Sequence, residues 1–520
     1  MKADDFFSSD FWIAGSINWH GMAQQANTGI GFAKEEAVKL VAHVTDLMSK
    51  IENEIEPQLP PRPLNKGELD FYRVPQKPFN KDGSYSANFT KWLEKVGGKL
   101  FTQRDVKIGE EVFPIVGGSE TVKTGVMKLG NQDDLKDWLI REGWEPTLWN
   151  YKKDARGKPM RDEKGQLIQT SPKMSDKGRL CPNLELMSGA LVQPVVTWLS
   201  LRNRKSVVEG WLENERLAWD GRLSAGASGL TPTFRFKHTV CVNVPKADPS
   251  VTLGKEMRSL FISSRPGYKF VGWDAVALEG RMEAHYCYPF EGGEAYAEQL
   301  LDGDIHSKNA LIFYEKELGK LGITHEFEGI KDDARFIPYR NRSKNGKYSL
   351  TFGAQPKKLA STLGIPEHEA VPTFDAFWDG NTALKGFRDR ITAVWESIGK
   401  KYIVGLDGRK VYTRSKHALV NSAFQSGGAI VMEYSAIFMD KWLGGLVLDN
   451  CGVPCYSYKG QYVYRVGFWH DELATEVPED LAEEIKALGV KSIEMAGKHL
   501  KLRVPLAGSG KVGDNWASVH

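Results

Sequence analysis

Cysteine is scarce in this chain of 520 residues: Cys181, Cys241, Cys287, Cys451 and Cys455 are all it has. An odd and sparse set excludes a disulfide framework. Cys451-Gly-Val-Pro-Cys455 has the outline of half a zinc site, but no second pair and no histidine cluster at ligand spacing accompanies it. The five therefore read as reduced structural thiols, as expected for a reducing cytoplasm. Long apolar runs are missing too, so no membrane span is expected. The acidic start Met1-Lys2-Ala3-Asp4-Asp5 does not suggest a signal peptide. Charge of one sign is also lacking: 69 Lys and Arg against 66 Asp and Glu leave a net +3. Such a balance does not by itself argue for a nucleic-acid partner; the charge would have to be segregated. What remains, 41% hydrophobic and 26% charged residues, is ordinary globular composition and enough chain for several domains or one multi-lobed enzyme.

Against this background the tripeptide His470-Asp471-Glu472 stands out. It lies between two strand-like runs, Tyr462–Trp469 and Leu473–Val477, at the tip of an expected hairpin. Turn chemistry prefers glycine and asparagine there, not adjacent acids that repel. A cation that neutralises them would explain the pair.

The rest of the chain is mixed in pattern. Val38, Val41, Val44, Leu47, Met48 and Ile51 predict an amphipathic helix over 33–55. From Glu56 to Asn131 the text turns rich in Pro, Gly and Lys, and reads as an irregular insertion with short strands such as Glu111–Val116. A helix is expected at Asp133–Ile140, a polar loop at Lys152–Lys177, and a long helix from Asn183 to Leu217 that carries Arg202, Arg204 and Lys205. That basic cluster is either a solvated face or a phosphate-contacting one. Further on come a strand at Tyr268–Trp273, mostly helical text over 276–400, a turn at Gly405–Lys410, a helix at about 418–443, a helix at Glu479–Leu488 and a closing strand. There is no regular βαβ alternation, so the fold class is α+β.

A second carboxylate, Asp274, ends the strand that starts at Tyr268, and Ala275–His285 is expected to be helical. Glu279 and Arg281 lie on that helix, with Glu283 on a different face. Asp274 also suits a helix N-cap. Two aspartates from different strands, Asp274 and Asp471, are able to clamp two divalent ions roughly 3.5–4 Å apart for a phosphoryl transfer, and Mg²⁺ suits carboxylates combined with phosphate oxygens. A phosphate substrate needs cations. Pro338 opens a helix on which Arg340, Lys344 and Tyr348 recur at i, i+4 and i+8. Gly346 weakens that helix by up to about 1 kcal/mol relative to alanine, so stability was not its sole constraint.

In this order the segments resemble family A DNA polymerases, most closely the replicative branch of short-tailed bacteriophages. The resemblance runs from about Ile17 to His520. Asp274-x₄-Glu279, Arg340-x₃-Lys344-x₃-Tyr348-x₃-Phe352-Gly353 and His470-Asp471-Glu472 look like the family's first palm motif, fingers helix and last palm motif. Gly303–Asn309, Gly405–Lys410, Asn421-x₃-Gln425 and Gly513–Ala517 match as well. The implied fold is a right hand: a palm with an antiparallel sheet, and helical fingers and thumb. The implied boundaries are a lead-in at 1–16, a thumb at 17–225 with its insertion at 57–131, a palm at 226–305 and 405–520, and fingers at 306–404.

The resemblance also implies roles. Asp274 and Asp471, helped by the Ala275 carbonyl, would hold two Mg²⁺ ions, or Mn²⁺ in their place, and Glu472 would be an outer catalytic carboxylate. Arg340, Lys344 and His306 would grip a deoxynucleoside triphosphate, Lys344 also protonating the pyrophosphate. Tyr348 would pack on the nucleotide and Glu279 would exclude a 2′-hydroxyl. His470, Arg281, Asn421, Gln425 and Arg414 would touch primer or template, as would Phe352 and Gly353; the basic cluster Arg202, Arg204 and Lys205 would meet DNA from the thumb. Arg235 and Arg258 fall where the family has palm arginines. Phe352 replaces a tyrosine usual in the family, and Gly346 a larger residue.

Further expectations arise from the same resemblance. The polymerase-like text begins too early to leave room for the usual 3′–5′ exonuclease, so proofreading would need a separate subunit. The 57–131 insertion is where phage relatives bind a processivity factor, so it reads either as a protein or DNA clamp or as a disordered or purely structural insertion. The compartment would be the cytoplasm of a bacterial host. Two other readings compete: a phage-type single-subunit RNA polymerase, against which Glu279 and Glu472 argue, and an inactive scaffold that binds DNA.

Overall fold

Two apolar segments distant in sequence, the strand Tyr268–Ala275 and the hairpin Gln461–Pro478, form the centre of a six-stranded antiparallel sheet in a computed structural model that describes residues 20–163, 165–176, 179–185, 187–249, 251–301, 303–324, 330–413 and 415–519. Its strands, in chain order, are β1 (Tyr268–Ala275), β2 (Leu446–Leu448), β3 (Pro454–Tyr458), β4 (Gln461–Trp469), β5 (Glu472–Pro478) and β6 (Gly508–Gly513). Spatially they run β2-β3-β4-β5-β1-β6. β1 is thus an interior strand, hydrogen-bonded to β5 on one side and β6 on the other. Val271 and Trp273 of β1 point to one face, where Trp273 lies so close to helix Ala482–His499 that a Cβ on Gly489 would sit 2.4 Å from the indole. Gly272 points the other way, onto Val519. Alternation of this kind is what a strand buried on both faces requires.

Six helices carry the candidate side chains or pack beside them: α1 (Leu278–Cys287), α2 (Gly293–Leu301), α3 (Ile305–Phe313), α4 (Ile337–Thr351), α5 (Leu419–Trp442) and α6 (Ala482–His499). α5 is buried along most of its length, and its Gly427 and Gly428 let it approach Met282 and Leu278 of α1 closely. α5 and α6 meet through the Ser435 and Ser492 hydroxyls, 2.6 Å apart. The expected α+β class is what the chain adopts, and the helices expected at 418–443 and near 338–348 are present.

Several local expectations are corrected. β1 continues through Ala275, and α1 starts only at Leu278, after Ala277 takes a left-handed turn (φ 49°). Asp274 is therefore a strand residue and not a helix cap. The helix expected at 479–488 is a 3₁₀ turn followed by α6, which runs on to His499.

The chain separates into two units. One holds the described residues up to Ala37 and those from Trp211 onward; the other is Val38–Gly210. The expected thumb, 17–225, thus takes in residues of both units. Strand Ile30–Phe32 pairs with Arg222–Leu223 and Phe261–Ile262, which keeps both ends of the expected thumb in the larger unit. The lead-in at 1–16 lies outside the described residues.

In the smaller unit, the segment 57–131 is not irregular. Helices Lys66–Tyr72 and Ala87–Lys95 and a three-stranded sheet enclose a core of Val74, Phe89, Trp92, Val106, Ile108 and Ile115. An Asn65–Glu68 capping box starts the first helix. Its elements are too short for periodicity to reveal them. The loop expected at 152–177 contains Gln169–Pro172, which pairs with Trp149–Tyr151. The long helix expected over 183–217 breaks into Pro182–Glu185, Val192–Leu212 and Glu215–Asp220. Gly189 (φ 145°) interrupts it first, and the Asn214 side chain then caps the last piece by accepting from the Arg216 amide.

Candidate active site

The β4–β5 register pairs Trp469 with Glu472, which leaves His470 and Asp471 as a two-residue loop. His470 takes φ 56°, a conformation that a non-glycine residue adopts only when its surroundings enforce it. The same register places Glu472 opposite Asp274 on β1, and Ser509 of β6 opposite Asp274 on the other side. Beyond that last pair, the Ala275 amide donates to the Asp471 carbonyl at 3.0 Å. Asp274 and Asp471 thus occupy one end of one sheet. Asp274 is half-buried and Asp471 exposed at the loop.

Glu472 is committed elsewhere. Its side chain is buried, accepts from the Trp516 indole N–H at 2.6 Å and lies 3.8 Å from the Arg258 guanidinium. Arg258 in turn sits 4.3 Å above the Trp516 ring, and Trp516 stacks on Trp469 at 4.1 Å. This carboxylate braces the hairpin against the C-terminal segment. His470 lies edge-on to His238, centroids 5.5 Å apart; burial, and then the nearby His470, push His238 down to about 4.

α1 carries the next group. Glu279 is half-buried, and burial raises its pKa; the charges of Arg235, Glu283, Lys347 and Asp471 all reach it. It therefore stands between the sheet end and α4. Arg281 is turned toward the backbone: it donates to the Val276 carbonyl at 2.8 Å and to the Pro505 carbonyl, and so secures the connection from β1 into α1. Glu283, expected on a different face from Glu279, lies one turn further along the same stripe. It is buried and bonds Lys347 at 2.6 Å.

On α4 the expected row is present. Lys344 and Tyr348 are exposed and Arg340 half-exposed, while Ser343, Gly346, Lys347 and Leu350 are buried behind them. Arg340 donates twice to Asp304, at 2.8 and 3.2 Å, and Asp304 also caps α3 by accepting from the Ser307 amide. Burial works to raise the Asp304 pKa, but Arg340 and Ser307 outweigh it and hold the carboxyl at about 2. The Ser343 hydroxyl donates to the His306 carbonyl at 2.6 Å, and the His306 and Tyr348 rings lie 6.1 Å apart. Burial, then Lys347 and Lys344, push His306 down to about 4, so it is neutral near pH 7. Gly346 is explained by packing: a Cβ there would meet Leu363 at 2.5 Å and Phe313 at 3.0 Å.

α5 adds a third element. From Leu419 to Ala436 only Asn421 and Gln425 are less than fully buried, and their i, i+4 spacing puts them on one stripe. The Asn421 side-chain oxygen is buried and has no hydrogen-bond partner within the described chain, as befits a group that waits for a ligand. At the end of α4, Phe352 is exposed, and Gly353 adopts φ 87° with the His417 carbonyl 2.2 Å from where a Cβ would be, so only glycine fits. Arg414 lies outside the described residues.

In the smaller unit, Arg202 stacks over Trp198 at 5.5 Å, and its guanidinium lies 2.7 and 3.0 Å from the end of the Gln132 side-chain amide. Burial lowers the pKa of Arg204, and Lys205 pairs with Glu209 at 3.7 Å. The basic cluster is partly engaged by its own unit.

Sequence reasoning missed Asp304, Glu283, Lys347 and Trp516. Asp304 and Trp516 lie inside the motif stretches Gly303–Asn309 and Gly513–Ala517. Nothing in the sequence pairs Glu283 with Lys347.

A two-aspartate donor set suits Mg²⁺, which keeps several waters and accepts phosphate oxygens from a substrate. Among the described residues no cluster of three or more His, Cys, Asp or Glu forms a closed metal cage, and no helix is long and apolar enough to cross a membrane.

The sequence profile described as "DNA polymerase family A" matches residues 239–518. The chain is 27% identical to a "DNA-directed DNA polymerase" of Escherichia phage Phieco32, over 86% of this chain and 79% of that protein. It is 28% identical to the "DNA-directed DNA polymerase" of Escherichia phage T7, over 76% of this chain and 53% of that protein, so it spans about half the length of the latter. Among solved structures it is similar to the "POL domain of Pol1 from M. smegmatis complex with DNA primer-template and dNTP", with a TM-score of 0.60, 18% identity, and coverage of 96% of this chain and 69% of that one.

Proposed function

The chain belongs to DNA polymerase family A, and from that premise we propose that it extends a DNA primer on a template with deoxynucleoside triphosphates, in bacteriophage DNA replication in the cytoplasm of a bacterial host. The observation that carries the reading is the 3.0 Å hydrogen bond from the Ala275 amide to the Asp471 carbonyl, which brings the Asp274 strand and the Asp471 loop together at one sheet end.

In this reading the sheet and α1 form the palm, α3 and α4 belong to the fingers, and Val38–Gly210 supplies the thumb. Asp274 and Asp471, with the Ala275 carbonyl, are the groups that would hold two Mg²⁺ ions. When bound, such ions supply activation of the primer 3′-oxygen and charge stabilisation on the leaving pyrophosphate. The chain's own residues do the rest by positioning and electrostatics. The exposed Lys344 and half-exposed Arg340 bind the triphosphate, and Arg340 exchanges part of its Asp304 contact for phosphate. Lys344 delivers a proton to the departing pyrophosphate. His306, neutral near pH 7, offers hydrogen bonds rather than charge. Tyr348 covers the base and sugar, and Glu279 beside it rejects a 2′-hydroxyl.

His470, Asn421 and Gln425 contact primer or template near the growing end. Arg281 acts through the β1–α1 backbone that it binds. Phe352 and Gly353 line the path of the template. Arg202, Arg204 and Lys205 meet the duplex from the thumb. Glu472 supports Asp471 from behind through Trp516. The 57–131 subdomain, which exposes 62% of Phe101 and 54% of Val116, is the docking place for a processivity factor.

Primer extension by the pure chain with Mg²⁺ and each nucleotide type is the test. Template-directed extension with deoxynucleotides is expected. Primer-independent synthesis from ribonucleotides, or product formation that survives Asp471→Ala, would overturn the assignment.

A further inference from the structure

α1 and α4, the helices that carry Glu279 and Tyr348, are joined by a bond that involves neither residue. Glu283 and Lys347 are each only 3% exposed and are bonded at 2.6 Å. The second Glu283 oxygen accepts from the Tyr296 hydroxyl of α2 at 2.5 Å, so each carboxylate oxygen has its own donor. We infer that this buried Glu283–Lys347 pair is a positioning device that sets the spacing between α1 and α4, and through it the preference for deoxyribo- over ribonucleoside triphosphates. The inference rests on the polymerase reading of the site.

Three observations carry it. The first is place. Glu283 is one helical turn beyond Glu279, and Lys347 is the neighbour of Tyr348, its ammonium 5.9 Å from the ring centroid. The pair therefore lies directly behind the two side chains between which the sugar must pass. The charges of both members reach Glu279 and Tyr348.

The second observation is chemical type. Buried ions lose their hydration, and well-packed apolar residues of the same volume often hold a fold as well or better. An apolar contact tolerates sliding by a fraction of an ångström. A hydrogen-bonded ion pair with both carboxylate oxygens occupied has one favourable length and direction. Charge at this position contributes geometry more than cohesion.

The third is the neighbouring flank of α4. Gly346 abuts Phe313 and Leu363 so closely that no side chain fits. At 346–347 the helix is thus pressed on one flank and tied on the next, and its outward row inherits that fixed position. Neither Glu283 nor Lys347 reaches solvent, so neither acts on substrate.

The experiment compares kcat/KM for a matched deoxynucleotide with that for the corresponding ribonucleotide, in the same preparation, so that differences in active fraction cancel. In Glu283→Leu/Lys347→Met, which removes both charges and leaves only the Tyr296 hydroxyl without its Glu283 acceptor, the discrimination ratio is expected to fall about tenfold, the scale on which sub-ångström misplacement acts. Restoring either charge alone is expected not to restore the ratio. A double variant that melts like the unaltered chain and discriminates within twofold of it overturns the inference. If the double variant does not fold, Tyr296→Phe removes a single hydroxyl from the network and is read the same way: a fall of more than twofold supports the inference, and an unchanged ratio overturns it. Absence of extension by the unaltered chain overturns the polymerase reading, and this inference with it. Normal extension with an unchanged ratio overturns this inference alone.

Discussion

The Ala275 amide donates to the Asp471 carbonyl at 3.0 Å, and through that bond the hairpin loop is held against the end of the central strand. The bond uses backbone only and engages neither aspartate side chain. A first prediction comes from this division. Asp471→Ala is expected to lower the extension rate by at least about a hundredfold, the scale of losing one preorganised electrostatic group, while the melting temperature stays nearly unchanged. Steady-state extension and thermal melting on the same sample check it.

Glu472, the next residue, is expected to behave in the opposite way. Trp516→Phe removes the indole N–H that donates to its buried carboxylate. A hydrogen bond to a charged buried group contributes about 1.5–3 kcal/mol, so the urea midpoint is expected to fall. Extension per folded molecule is expected to change far less than in Asp471→Ala.

Gly346→Ala pits two local effects against each other. Alanine gains up to about 1 kcal/mol of helix propensity. Its Cβ would lie 2.5 Å from Leu363 and 3.0 Å from Phe313, both buried and with no room to retreat, and overpacking of this kind costs about 1–3 kcal/mol. The variant is expected to melt at a lower temperature despite the better helix former.

The shifted groups define two pH windows. His238, His285 and His306 all sit at about 4 in the folded chain, chiefly because of burial, against an ordinary 6.5. The unfolded chain then binds more protons between pH 6.5 and 4, so stability is expected to fall as pH drops through that window. Asp304, held at about 2 against an ordinary 3.8, stabilises the fold above pH 3.8, and that contribution is lost as pH falls toward 2. Denaturant titrations at stepped pH check both. In Asp304→Asn the second loss is expected to vanish while the first remains.

The Arg340–Asp304 bond offers a kinetic prediction. Arg340→Lys keeps a charge but loses the two-pronged geometry that meets either Asp304 or a phosphate. KM for the deoxynucleotide is expected to rise about tenfold, a loss of roughly 1.4 kcal/mol in substrate binding, with a smaller change in kcat.

The legible parts of this protein were those that local pattern encodes. The hairpin around Asp471, the strand that carries Asp274, the Arg340-Lys344-Tyr348 row and the α5 helix derive from periods of two and 3.6 residues within short windows, and the sequence by itself determined them. It also determined the family, through motifs whose order and spacing survive without knowledge of the fold. The 57–131 core was hidden because its elements are shorter than the windows that reveal periodicity. The tertiary structure alone decided which charges stay exposed at the sheet end and on α4 and which are committed elsewhere. Glu472 is spent on Trp516, 44 residues away, Arg340 on Asp304, 36 away, and Glu283 on Lys347, 64 away. The reason is physical. A carboxylate carries the same charge in every sequence context, and its role depends on burial and on the donor that the fold brings to it from another segment.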